Sequence, residues 1–292
     1  MKNSFLLLMS LCFFISCSKK KVEDKGGVDI NKGALTVYTD DSFKSVVEAL
    51  ADAYMINYPN TNISVEVQKE DLAFLDLLNG KVDLIAMSKV LNEKQKQEFE
   101  TRTKSKFHID KFAVDAVLFI VPKNSNVEYL EIDDIKQRLT SEEKTLIFDG
   151  TNSSNLNSVA QYFEKQPSDL QFSVISGNEK VVEELQKFPN KIGVIGINTF
   201  SREYAPEAIK LREMVKVLPV KKDGKLFNPI GEDFRTLKYP FVRELYFMNR
   251  EKRFAIASGL VRFSCMQLGQ IVVEKEGLLP FNLFKREVQM KN

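Results

Sequence analysis

From residue 35 onward, short apolar runs alternate with segments whose apolar residues recur every three or four positions. Leu35 and Val37 open the series as a short strand, and Thr39-Asp40-Asp41-Ser42 follows as a small polar turn. Phe43, Val46, Val47, Leu50, Tyr54 and Tyr58 then share one face of a 3.6-residue period, which predicts an amphipathic helix. Ser42 or Asp41 stands where its N-cap belongs. Ile63, Val65 and Val67 alternate with polar residues, the pattern of a strand with one buried face. Asp71 to Leu78 reads as a short helix stopped at Asn79-Gly80, Val82 to Met87 as an apolar strand ending at Ser88-Lys89, and Asn92 to Thr101 as a charged helix. Strand and helix thus take turns, which predicts a parallel or mixed sheet flanked by helices.

The second half continues the alternation. Lys111 to Val121 is a long apolar strand closed by Pro122, a plausible crossover between domains. A helix over 132–139 and a strand over 145–148 lead to Asp149-Gly150-Thr151-Asn152-Ser153-Ser154-Asn155, and a helix carrying Val159, Tyr162 and Phe163 follows. Strands are expected over 171–175, 191–196, 215–220 and 239–248, helices over 179–188 and 254–273, and a polar loop over 229–238.

Two strand–turn–helix units carry the candidate chemistry. A helix N-terminus presents unpaired N–H groups and a positive dipole end, so a small polar turn ahead of it can receive an anion. The first such turn is Thr39 to Ser42; the second, Thr151 to Asn155, is richer, with hydroxyls at Thr151, Ser153 and Ser154. Taken alone, each turn reads equally as an ordinary capped βα loop.

The first residues stand apart. Lys2 precedes an apolar run from Phe5 to Ile15, too short to span a bilayer, and this reads as a secretory signal. Phe14-Ile15-Ser16-Cys17 resembles a bacterial lipobox, which implies cleavage before Cys17 and lipidation of its thiol. Residues 1–16 are then the signal and 17–33 a lipidated, flexible tether rich in charge and glycine. Acyl chains anchor durably because each buried methylene contributes about 0.8 kcal/mol.

Composition removes several function classes. The 292 residues are 43% hydrophobic and 28% charged, with 42 basic residues against 40 acidic. Nothing in that balance suggests nucleic acid as a partner. Beside Cys12 in the signal and Cys17 at its end, only Cys265 remains, so the exported chain has no disulfide framework, and Cys265 reads as a core thiol. The single histidine, His108, has no Cys or His partner at motif spacing. No metal cluster, nucleophile elbow or phosphate loop is present, and neither enzyme activity nor a cofactor is expected.

The order of segments resembles the periplasmic substrate-binding proteins of ABC transporters, in their phosphate-binding branch. The resemblance rests on Gly80 to Ser88, on Phe112 to Pro122, on Lys191-Ile192-Gly193-Val194-Ile195-Gly196, and on a C-terminal signature. That signature is Tyr239-Pro240 to Tyr246, then Gly269-Gln270, then Gly277 to Pro280. The resemblance implies an α/β, two-lobed periplasmic-binding-protein fold of type II, with mixed sheets and a ligand cleft at the hinge. Residues 34–115 plus 236–292 would form one lobe and 116–235 the other. Both polar turns would face the cleft, with Thr39, Asp41, Ser42 and Phe43 (through its N–H) on one side and Thr151, Asn152, Ser153 and Ser154 on the other. Ser88 and Lys89 would complete the set.

The family pattern is incomplete in this chain. The Gly-Ser-Ser-Gly loop after the second strand is replaced by Gln68-Lys69-Glu70-Asp71. The Ser-Asp after the third strand is Ser88-Lys89, and the Arg ahead of Ser-Gly-Thr is missing. Lys89 could supply positive charge, while Asp41, Glu70 and Asp149 would crowd the same cleft. The first functional expectation is therefore a lipid-anchored, monomeric receptor in the cell envelope. It would capture a small phosphate-like anion or polar solute for an ABC transporter permease. The alternative is a non-transport module of the same fold in an envelope complex, with a cleft that no longer binds phosphate.

Overall fold

The structure, a computed structural model, describes residues 29–282. Cys17 and the signal lie outside the described residues. Chain order begins β1 (Lys32–Thr39), α1 (Lys44–Asn57), β2 (Asn60–Val67), α2 (Glu70–Asn79), β3 (Leu84–Met87), α3 (Glu93–Thr103) and β4 (Asp110–Pro122). It continues with β5 (Leu130–Glu131), α4 (Ile132–Arg138), β6 (Leu146–Phe148), α5 (Ser154–Tyr162), β7 (Ser173–Val174), α6 (Asn178–Glu184), β8 (Ile192–Gly196) and α7 (Pro206–Met214). It ends with β9 (Val215–Leu218), β10 (Val220–Lys222), β11 (Lys225–Phe227), α8 (Glu232–Arg235), β12 (Val242–Asn249), α9 (Ile256–Cys265), α10 (Gln267–Lys275) and β13 (Leu279–Pro280).

One curled sheet runs β2-β1-β3-β12-β4-β8-β6-β7, with β9 and β13 also pairing with β4. At one end β1 is parallel to β2 and β3, and at the other β6 is parallel to β8 and β7. Between these parallel blocks β12 and β4 pair antiparallel to each other and to their neighbours. Strand β4 reads as an apolar run broken only by Asp115 because both of its faces are buried; every residue from Phe112 to Pro122 is inaccessible or nearly so. Its first half pairs with β12 and its second half with β8, so the strand passes from one parallel block into the other. The architecture is the mixed α/β, two-lobed one that the resemblance implied.

The amphipathic faces point where the periodicity put them. Val46, Val47, Leu50 and Tyr54 of α1 are buried, and the Tyr54 ring meets Phe263 of α9 edge-on at 5.6 Å. Helix α2 stops at Gly80, whose φ of 75° is the left-handed cap that glycine adopts without strain. No single helix among the described residues is long and apolar enough to cross a membrane.

Several expectations need correction. The helix expected over 254–273 is two helices, α9 and α10, bent by 69°. Met266 between them is extended (φ −93°, ψ 171°), and the Phe263 and Ser264 backbone crowds Gly269, where a Cβ would come within 2.4 Å of the Phe263 oxygen. The N-cap is neither Ser42 nor Asp41. Asp40 caps a 3-10 turn, Asp41–Phe43, that leads into α1. The strand expected over 171–175 pairs only at Ser173–Val174, and the one expected over 239–248 starts at Val242. Helix α7 was not anticipated, although Pro206 at its first turn and buried Ala208 and Leu211 are its signals. Helix α8 interrupts the expected loop.

Candidate functional site

The two polar turns do meet, and what lies between them is a carboxylate of the chain itself. Asp40 is fully buried. Its Oδ1 accepts from Ser42 N at 3.1 Å and from Ser154 Oγ at 2.9 Å. Its Oδ2 accepts from Glu70 N and Ser154 N, each at 3.1 Å. These donors come from the 3-10 turn, the first residue of α2 and the first residue of α5. Orphan N–H groups and positive dipole ends thus converge on one point, the arrangement that holds a bound anion. Here the anion is covalently part of the chain.

Glu70 repeats the device one step along. Its Oε1 accepts from Ser88 N (2.6 Å), Ser88 Oγ (2.9 Å) and Lys89 N (3.1 Å), and its Oε2 accepts from Asn157 Nδ2 (2.9 Å). Asp149 accepts from Lys69 Nζ at 2.7 Å and Asn155 Nδ2 at 3.0 Å. Asp41 Oδ2 accepts from Asn178 N at 2.5 Å and Nδ2 at 3.0 Å, so the first turn is also tied to the start of α6.

Burial and the Asp40 charge push the Glu70 carboxyl above its ordinary range, against the opposing hydrogen bonds from Asn157 and Ser88. Burial, then Asp40, pushes Asp149 up as well, with Lys69 opposing. For Lys69 burial alone would lower the value, but Asp149 and Asp40 outweigh it and raise it.

The expected ligand residues divide accordingly. Ser42, Ser88, Ser154 and the Lys89 N–H come together in this network and donate to Asp40 or Glu70. Asp41 joins it as an acceptor. The Phe43 N–H is committed to Asp40 O within the turn at 3.0 Å, and its ring lies under the Arg243 guanidinium at 4.7 Å. The Lys89 ammonium is held by Asp71 at 2.6 Å. Thr39 Oγ1 turns to Asp40 O at 3.3 Å, and Ser153 is a local cap accepting from Leu156 N at 3.4 Å. Thr151 is exposed, and Asn152 offers its carbonyl to Asp71 N at 3.2 Å.

The sequence reading left out Asp40, Asn157 and Asn178 as site residues. Asp40 could have been found, because a carboxylate one residue ahead of a buried turn must satisfy itself on nearby N–H groups. The two asparagines carry no motif; only the fold brings them here. Elsewhere, Cys265 is half-buried and packs against the core rather than inside it, and burial pushes its thiol up to about 12. His108 sits in solvent beside Asp110 at 3.1 Å. No group of metal-binding side chains occurs among the described residues.

Residues 27–265 match the sequence profile of the PBP superfamily domain. The chain belongs to the PBP superfamily. Among solved structures it is similar to a phosphate ABC transporter substrate-binding protein with bound phosphate from Clostridium perfringens, at 17% identity and a TM-score of 0.68, covering 86% of this chain and 100% of that one. An ABC-type phosphate transport receptor from Vibrio cholerae gives 16% identity and a TM-score of 0.62 over 85% of this chain and 100% of that one. The reduced regulatory domain of OxyR from Pseudomonas aeruginosa gives 12% and 0.52, over 80% and 98%. At these identities the likeness establishes the fold. No curated protein is similar enough in sequence to count as a relative. In this PBP-fold chain, then, helix N-termini that could hold an anion converge on the Asp40 carboxylate, and the loop after β3 donates to Glu70.

Proposed function

We propose that this chain is a lipid-anchored, extracytoplasmic binding protein of the PBP fold whose interlobe cleft is latched by its own carboxylates and does not take phosphate. The lobes in this reading are 34–115 plus 236–292 and 116–235; the change of β4 partner between Ala116 and Val117 supports that boundary. The observation that carries the reading is Asp40, whose two oxygens already accept the donors of three elements. A phosphate entering there would have to displace a buried, tethered anion and sit beside Glu70 and Asp149. Of the two uses the sequence suggested, this favours the non-transport module in an envelope complex. Its partner would bind an outer surface of the closed protein. Solute capture for an ABC permease is the second reading. It is supported by likeness to the receptor structures, one of them with bound phosphate; hinge closure around a ligand is a general motion of periplasmic binding proteins.

Two measurements test the proposal. Thermal unfolding of the wild type should not respond to millimolar phosphate or sulfate; a receptor at one hundred times Kd would gain about 2.7 kcal/mol. Asp40→Ala should lower Tm and leave an empty cradle, which formate or acetate refills. Added formate should then raise the Tm of the variant and leave that of the wild type alone. Stabilisation of the wild type by phosphate sinks the latch. For the anchor, labelled palmitate should enter the wild type and be lost in Cys17→Ala.

A further inference from the structure

Next to the carboxylate latch, a groove of about 810 Å³ opens between β12, the end of α5 and the segment after β3, with Ser88 and Lys89 on the boundary between the two. That volume is in the range of small-molecule sites, roughly 300–1,000 Å³. Phe241 and Tyr246 are buried in its wall, and Tyr162 lies against Phe241 with ring centroids 4.5 Å apart. At the rim Leu237 and Phe281 remain 54% and 38% exposed. Large apolar groups left in water around a cavity mark a binding surface.

The charges around the groove are one-sided. Lys89, Lys96, Lys111, Arg235 and Arg243 line it, against the single acid Glu244. Four of these cations already have carboxylates: Asp71 for Lys89, Glu93 for Lys96, Glu244 for Lys111 and Asp115 for Arg243. Arg235 has none among the described residues. Lys96 and Lys111 also lie over the Phe107 and Phe281 rings at 5.7 and 5.1 Å, so a cationic guest would meet ammonium groups at the aromatic rim. Of the neutral polar groups in the lining, Gln161 is spent on the Val90 N–H and carbonyl at 3.1 and 2.7 Å, Ser88 Oγ on Glu70 at 2.9 Å, and Ser158 Oγ accepts from Arg243 Nη1 at 3.4 Å. What remains open is the apolar surface of Leu237 and the partly exposed Tyr162 ring, beside a guanidinium with no carboxylate partner among the described residues. The segment that follows Asn282 in sequence, Leu283-Phe284-Lys285-Arg286-Glu287, is basic in balance, so charge disfavours it as the occupant of a positive groove.

We propose that this groove binds a monomeric organic anion with an aromatic body, its rings against Tyr162 and Leu237 and its acid group at Arg235. Ser88, Lys89 and Arg243 border both the groove and the latch, but Arg235, Leu237 and Tyr162, on which the proposal rests, make no hydrogen bond to Asp40, Glu70 or Asp149, so the two readings stand or fall separately.

Calorimetric titration of the full lipid-free chain with 2-naphthoate tests it, with 2-naphthylmethylammonium as the charge-reversed control. Saturable one-to-one binding of the carboxylate is expected, with the ammonium compound at least about tenfold weaker. Arg235→Glu and Leu237→Asp are surface changes that leave the fold intact, and each should weaken naphthoate about fivefold or more. Asp40→Ala should leave the affinity unchanged. Absence of saturation, equal affinity for both compounds, or indifference to Arg235→Glu overturns the proposal. So does loss of binding in Asp40→Ala, which would put the ligand in the interlobe cleft. Truncation after Asn282 that tightens naphthoate by more than about tenfold would make the groove the seat of the tail and overturn it as well.

Discussion

At the scale of single residues, the decisive chemistry is the placement of Asp40 where helix N-termini converge, and of Glu70 under the backbone N–H groups that follow β3. Serines that read as ligand donors in the sequence are donors in the structure, but they donate inward. Glu70 gives this a pH signature. Its carboxyl is pushed above the ordinary 4.5 by burial and by Asp40. A group whose folded-state value is raised contributes stability fully present below the unfolded value and lost as pH rises through the folded value. Glutamine at this position does not titrate. The Tm of the wild type should therefore fall relative to that of Glu70→Gln as pH is raised from 4.5 to neutral. Thermal unfolding by circular dichroism across that window checks it, and a relative rise of the wild type would mean that the hydrogen bonds outweigh burial.

At the scale of elements, the period of apolar residues located almost every helix but could not say where one ends against its neighbour. The stretch from Ile256 to Lys275 keeps a helical pattern throughout, yet the chain turns by 69° within it. The turn is held by contacts remote in sequence: buried Gln270 donates to Ser264 O at 2.7 Å and to Phe112 O of β4 at 2.9 Å. The approach of α10 to the end of α9 needs a residue without Cβ at Gly269, where the nearest atoms are backbone and cannot move aside. Gly269→Ala should cost about 1–3 kcal/mol or more through overpacking, outweighing the small gain in helix propensity. Urea denaturation with an unchanged m-value is the readout; a neutral or stabilising effect would show that the corner is soft.

At the scale of the whole molecule, β4 passes from one parallel block of the sheet into the other, and a buried ion pair ties its first half to β12. Arg243 Nε donates to Asp115 Oδ2 at 2.7 Å, and Nη2 lies 2.6 Å from the same oxygen. The two residues sit opposite each other in the β12–β4 register. The Arg243 guanidinium also covers the Phe43 ring of the first turn, so the strand pair is coupled to the latch. Removing one partner of a buried pair leaves an uncompensated charge, at a cost of about 3–5 kcal/mol. Arg243→Met should lose that much, and Arg243→Met with Asp115→Leu should recover a large part of it. A double variant no more stable than the single one would show that packing of the arginine, not its charge, holds the strands.

How much was legible follows from which interactions are local. The spacing of Val46, Val47, Leu50 and Tyr54, the glycine stop at Gly80 and the apolar run of β4 are properties of neighbouring residues, so the sequence by itself determined the element order, the mixed α/β class and a two-lobed resemblance. It also brought out the two polar turns, because helix starts need small polar residues wherever they lie. The occupant of the space between them was a different matter. Asp40 and Ser154 are separated by 114 positions and Glu70 and Asn157 by 87, and nothing in either local pattern says that they touch. Only the tertiary structure decided that the donors are satisfied from within, because a buried N–H must find an acceptor and the fold brings a carboxylate to it.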